Sequence, residues 1–127
     1  MGMIQTFTCP ACHESWEITT GHGIMHSTLE RVLKAFPQDM QMAIRTEAQG
    51  QLAPIFHFNY CAASCSRCKN IVAVPVIYFP KSGRSYTSFC PQCSTSAELE
   101  ILKENASPIC PRCKNSLLSA EDSGRWD

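Results

Sequence analysis

Eight of the nine cysteines in this 127-residue chain fall into four C-x-x-C pairs: Cys9 with Cys12, Cys65 with Cys68, Cys90 with Cys93, and Cys110 with Cys113. Two thiolates held three positions apart on a tight turn can grip one metal ion from the same side, so four pairs supply two tetrahedral sets of ligands. The chemistry this predicts is structural. Two Zn2+ ions per chain are expected, each enclosed by four sulfurs that leave no position for water or substrate. Iron in a rubredoxin-like site would use the same turns. The ninth cysteine, Cys61, stands outside the pairs and is expected as a half-buried thiol packed beside a cluster.

Other chemistry is hard to find. No HExxH, glycine-rich phosphate loop or GxSxG occurs, so no catalytic residue is assigned and the chain is not expected to be an enzyme. A redox thiol protein, either an oxidoreductase or a redox-switched chaperone, is the rival reading. It would need a helix N-terminus to activate the first thiol, and residues 15–19 after Cys12 read as strand instead. His13 lies beside a knuckle, whereas His22, His26 and His57 have no ligand spacing to any pair.

Eleven basic and eleven acidic side chains give zero formal charge, and two zinc ions on eight thiolates would shift this to about −4. A polycation is therefore excluded. Between Glu47 and Glu98, however, there is no acidic residue, while Arg67, Lys69, Lys81 and Arg84 interleave with Tyr78, Phe79, Tyr86 and Phe89. These four cations are the candidate nucleic-acid contacts, set against the plainer reading that they offset thiolate charge and that the aromatics form core. The partner expected is a protein or a nucleic acid.

The elements that must position the cysteines follow from periodicity. Residues 4–8 and 15–19 read as strands flanking the first knuckle. Ser27 and Glu30 form a capping box opening a helix with the stripe Leu29, Val32, Leu33 and Phe36; Pro37 ends or kinks it, and residues 38–49 resume it. Phe56, Phe58 and Tyr60 alternate as a strand leading to Cys65, and residues 71–79 form an apolar strand that Pro75 should confine to an edge or a bulge. Residues 81–84 look like a hairpin tip, residues 98–102 alternate, and residues 119–127 read as a flexible tail. The fold class expected is α+β: zinc-ribbon hairpins with a helical insertion at 27–49. The division expected is a ribbon domain at 1–86, a C-terminal ribbon at 87–118 and the tail. A surplus of helical stripe would make a homodimer contact. The repeated CSRCKN at 65–70 and CPRCKN at 110–115 predicts a shared turn in which asparagine takes an unusual φ.

Two pairings of the knuckles respect chain order. Spacing slightly favours Cys65 and Cys68 with Cys90 and Cys93, leaving the first and last pairs to meet. Loop-closure entropy favours the alternative, in which the 9/12 pair joins 65/68 and the 90/93 pair joins 110/113, and this is the pairing expected. Residues 4–85 resemble the bacterial CpXC domain family: a CPxC after a short strand, a mostly helical insert, then a second CxxC before an apolar strand ending in YFP. The resemblance implies one zinc site from the pairs at 9/12 and 65/68, and it implies no established activity. Here the second pair is CSRC without the proline, and the 87–118 segment matches only zinc ribbons at large.

Residues 1–10 carry no basic start or long apolar run, and the longest apolar stretch, 71–79, is too short to span a bilayer. A cytoplasmic location without membrane contact is expected.

Overall fold

A computed structural model describes residues 2–21, 28–49, 55–94, 99–102 and 107–126. The chain runs β1 (Gly2–Thr8), β2 (Ser15–Gly21), α1 (Leu29–Leu33), α2 (Gln38–Ala48), β3 (His57–Cys65), β4 (Asn70–Phe79), β5 (Arg84–Thr87), β6 (Leu99–Ile101) and β7 (Ser119–Trp126). The strands are antiparallel and run in the order β5-β4-β3-β2-β1-β7, with β6 also pairing to β3. The architecture is therefore mostly sheet, and the helical part is smaller than the sequence suggests.

Two similar ribbons make up this sheet, one set inside the other. The inner ribbon is the β3–β4 hairpin, which turns at Cys65 and Cys68, with β6 returning along β3. The outer ribbon is the β1–β2 hairpin, which turns at Cys9 and Cys12, with β7 returning along β1. In chain order the whole inner ribbon lies between β2 and β7. Gly21 at the end of β2 pairs with Tyr60, and Leu102, just past β6, donates its amide to Ala62 O. The chain thus joins and leaves the inner ribbon at neighbouring positions on one edge of β3.

Residues 119–126, expected as a flexible tail, form β7 instead. Thr6↔Glu121 and Phe7↔Ala120 are among its pairings with β1. Alternation in this polar segment is weak, and the strand is defined by the edge that β1 offers it, which no local pattern reveals.

The two sheet faces of the inner ribbon bury different things. Phe58, Ile77 and Phe79 point to one face and meet Val32, Leu33, Phe36, Ile44 and Ala48 from the helices. The helical stripe is thus spent on the chain's own core, with Val32 and Ile44 wholly buried. Further along that face, Ala62 and Ile71 pack with Phe7 and Ile18 of the outer ribbon. Ala63, Val72 and Val74 on the opposite face surround Cys65 and Cys90.

Helix 1 differs from its expected form. Its N-cap is Thr28, without a side-chain cap, and Ser27 lies outside the described residues. Glu30 pairs with Arg45 of α2 at 2.8 Å. Pro37 does end the first helix, and it caps the second. Pro75 sits in β4 between β3 and β5, yet its nitrogen faces the β5 side just beyond the last paired residues, Val76↔Thr87, where no donor is needed.

Candidate metal centres

Each of the four C-x-x-C turns has the same backbone. The residue after the second cysteine donates its amide to the first cysteine's carbonyl: His13 to Cys9 at 2.9 Å, Lys69 to Cys65 at 2.9 Å, Ser94 to Cys90 at 2.8 Å and Lys114 to Cys110 at 3.0 Å. These four residues all adopt positive φ, from 57° to 65°. The left-handed residue reverses the chain so that amides turn inward toward sulfur, as when Cys12 N donates to Cys9 Sγ at 3.4 Å. Asparagine was expected in this conformation, but Lys69 and Lys114 occupy it, one position earlier than Asn70 and Asn115. The repeat was legible; which residue bears the strained φ was not.

The structure assembles the eight paired cysteines into two quartets, Cys9–Cys12–Cys110–Cys113 and Cys65–Cys68–Cys90–Cys93, and the sulfurs of each lie within 4.8 Å of one another. This overturns the favoured pairing, and with it the single site across 9/12 and 65/68 that the CpXC resemblance implied. The long intervening segment costs closure entropy only while it is flexible chain. Its ends are instead pinned together on β3.

In each quartet the first cysteine of a turn is buried and the second is half-buried. The close contacts cross between turns: Cys9 to Cys113 at 3.5 Å and Cys12 to Cys110 at 3.7 Å, Cys65 to Cys93 at 3.6 Å and Cys68 to Cys90 at 3.7 Å. A tetrahedron of sulfurs at a zinc bond length of about 2.3 Å has an edge of about 3.8 Å. A disulfide would require about 2.05 Å. Each quartet can therefore hold one metal ion, with all four corners of the tetrahedron filled by protein.

The thiols are also poised unequally. The Cys12 amide pulls Cys9 down to about 6 against the opposing effect of burial. The Glu14 backbone favours the Cys12 thiolate, but burial and the thiols of Cys9, Cys110 and Cys113 outweigh it and push Cys12 up to about 12. In the inner quartet, burial opposes ionisation of Cys65, yet the amides of Cys68 and Arg67 and the neighbouring thiols bring it down to about 7. Burial and the flanking thiols Cys65 and Cys90 raise Cys68 to about 12. Cys9 and Cys65 thus ionise readily, and a cation beside Cys12 and Cys68 would be needed to hold those two ionised as well.

Asn70, placed by the inner turn at the start of β4, links the two centres. Its Oδ1 accepts from Trp16 Nε1 at 3.1 Å and from Arg112 Nη2 at 3.0 Å, and Arg112 belongs to an outer turn. Sequence reading missed this role, because nothing local distinguishes Asn70 from Asn115.

Cys61 is half-buried on β3 opposite Val74, outside both quartets, and burial raises its thiol. His13 is exposed on its turn, and His57 stacks on Tyr78 with ring centroids 6.3 Å apart. His22 and His26 lie outside the described residues.

The four candidate nucleic-acid contacts do not form one patch. Arg67 and Lys69 sit at one end of β4, and Lys81 and Arg84 at the other, roughly 30 Å away at ~3.3 Å per residue. Their aromatic neighbours are divided as well. Phe79 is buried, Tyr86 donates its hydroxyl to Glu47 at 3.3 Å, and Tyr78 faces the opposite side of the sheet from both. Among the described residues, no helix is long and apolar enough to cross a membrane.

Comparison with protein-family models, with curated proteins and with solved structures finds no match to this chain.

Proposed function

We propose that this chain is a non-catalytic scaffold that holds two structural zinc ions and works by binding another protein. The sulfur geometry carries the reading: two closed quartets, with cross-turn contacts of 3.5–3.7 Å and all sulfurs within 4.8 Å of one another, suit a tetrahedral zinc and leave no coordination site for a reacting water or substrate. Every C-x-x-C pair leads into a left-handed turn rather than a helix, so the macrodipole that activates redox thiols is missing. The separation of the four cations weakens the nucleic-acid alternative in favour of a protein partner. A reducing compartment such as the cytoplasm is the setting in which eight thiolates would persist as ligands.

Elemental analysis with thiol titration tests this. Zinc-loaded chain should carry two zinc ions and a single titratable free thiol, that of Cys61, and chelation should abolish its cooperative melt. Metal-free, disulfide-bonded protein that stays folded would overturn the scaffold reading. Salt-sensitive retention on single-stranded DNA or RNA would overturn the choice of partner.

A further inference from the structure

Two strand edges face one cleft beside the inner metal centre. Cys9 N donates to Glu14 O, so alternation along β1 and β2 directs the backbone groups of Ser15, Glu17, Thr19 and Gly21 away from β1. Gly21 meets Tyr60 of β3, and the other three have no backbone partner among the described residues. On β4, Ser88 N donates to Pro75 O, which places the odd-numbered positions on the β5 side. Beyond the end of β5, Ile71 and Ala73 therefore also present backbone groups on this edge with no partner among the described residues. Both edges, together with Pro91 and Gln92 of an inner turn, line a cleft of about 500 Å3.

The cleft has a fixed shape and a sign. Trp16, at its rim, is anchored by the hydrogen bond to Asn70, and Ile18 is buried against Ala62 and Ile71. Glu17 is the charged side chain lining it, is exposed, and forms no ion pair among the described residues. Its neighbour Glu14 has Arg112 at 3.9 Å.

We propose that this cleft binds an extended peptide, which adds as a strand along β2 and sets a basic side chain against Glu17. The inference rests on reading the chain as a protein-binding scaffold. Alternating donors and acceptors on a strand edge are matched by another extended backbone, and side chains at every second position then supply selectivity. Residues 15–19 offer the length of a five-residue strand, roughly 17 Å. A phosphate backbone fits neither the hydrogen-bonding pattern nor the carboxylate.

The test uses chain already shown to carry two zinc ions. The probe is the capped peptide acetyl-Thr-Val-Lys-Val-Thr-amide, followed by amide NMR of the labelled protein. Shifts and slowed exchange are expected at Ser15, Glu17 and Thr19, and the lysine peptide should bind about two- to fivefold tighter than its glutamate counterpart. Glu17→Gln should erase that preference while leaving the zinc content unchanged, and N-methylation of the peptide's edge amides should abolish binding. The proposal is overturned by no binding, by shifts confined elsewhere, by an N-methylated peptide that binds equally well, or by a charge preference that survives Glu17→Gln. Such a failure in zinc-loaded protein removes the cleft assignment alone. Failure of the metal analysis would remove the scaffold reading itself.

Discussion

In the inner ribbon Cys68 and Cys90 are 22 positions apart, whereas in the outer ribbon Cys12 and Cys110 are 98 apart, yet both pairs of sulfurs meet at 3.7 Å. As flexible loops these separations differ in closure cost by only about 1.3 kcal/mol, because the entropy grows with the logarithm of length. Even that difference vanishes once the inner ribbon folds. Gly21 is held on Tyr60 and Leu102 on Ala62, so a folded insert delivers the outer half-sites to each other. The two centres share ligand geometry and differ in dependence: the inner one closes on local chain, and the outer one closes on a folded inner ribbon.

The largest effect should come from breaking that order. Cys65→Ser with Cys90→Ser removes two buried sulfurs of the inner quartet, one at the end of β3 and one in the turn after β5, and structural zinc contributes roughly 10–16 kcal/mol in small peptides, as much as the whole stability of a typical domain. We expect this variant to lose its cooperative melt and both metals. Cys110→Ser with Cys113→Ser should lose one metal only, with amide protection falling in β1 and β7 and surviving in β3 and β4. Native mass spectrometry and hydrogen exchange read both outcomes. An outer variant that also releases the inner metal would end the claim of one-way dependence.

A smaller effect tests the joint between the ribbons. Asn70 Oδ1 receives hydrogen bonds from Trp16 and Arg112, so Asn70→Ala strands the partly buried indole donor and loosens an outer turn. A cost of about 1–3 kcal/mol in urea unfolding is expected, together with weaker retention of the outer metal. Asn115→Ala, at the matching but exposed position of the repeat, should change little. Equal effects at the two asparagines would mean that the repeat, and not the joint, sets their importance.

These residues also show what the sequence could convey. The grouped cysteines, the knuckles, the hairpin strands on either side of them and the break at Pro37 were legible, because each depends on spacing or on a local backbone constraint. Ligand pairing was not, because it depends on where a folded insert places its ends. Strand β7 escaped for a similar reason: Ser119–Trp126 is polar and becomes a strand by pairing with β1. The basic, aromatic hairpin is compact only in sequence, since the length of β4 and its two-faced pleat part Arg67 from Arg84 and Tyr78 from Phe79.

The smallest effect compares the two ribbons at one backbone position. Lys69 and Lys114 hold φ at 59° and 57°, where a Cβ crowds the following carbonyl and glycine does not. Lys69→Gly and Lys114→Gly should each stabilise the metal-loaded chain by about 0.5–1 kcal/mol, relief of strain outweighing the entropy that glycine adds to the unfolded state. Lys69→Ala and Lys114→Ala separate this from charge, since they remove the same cation beside the thiolates while keeping the strained Cβ. If the ribbons are one device used twice, the glycine gains match in thermal unfolding, but they act on different metals. Lys69→Gly should slow release of the inner ion to a chelator, and Lys114→Gly release of the outer. A gain at Lys69 without one at Lys114 would show that the outer turn owes its shape to β7 and the joint at Asn70 rather than to its own left-handed residue.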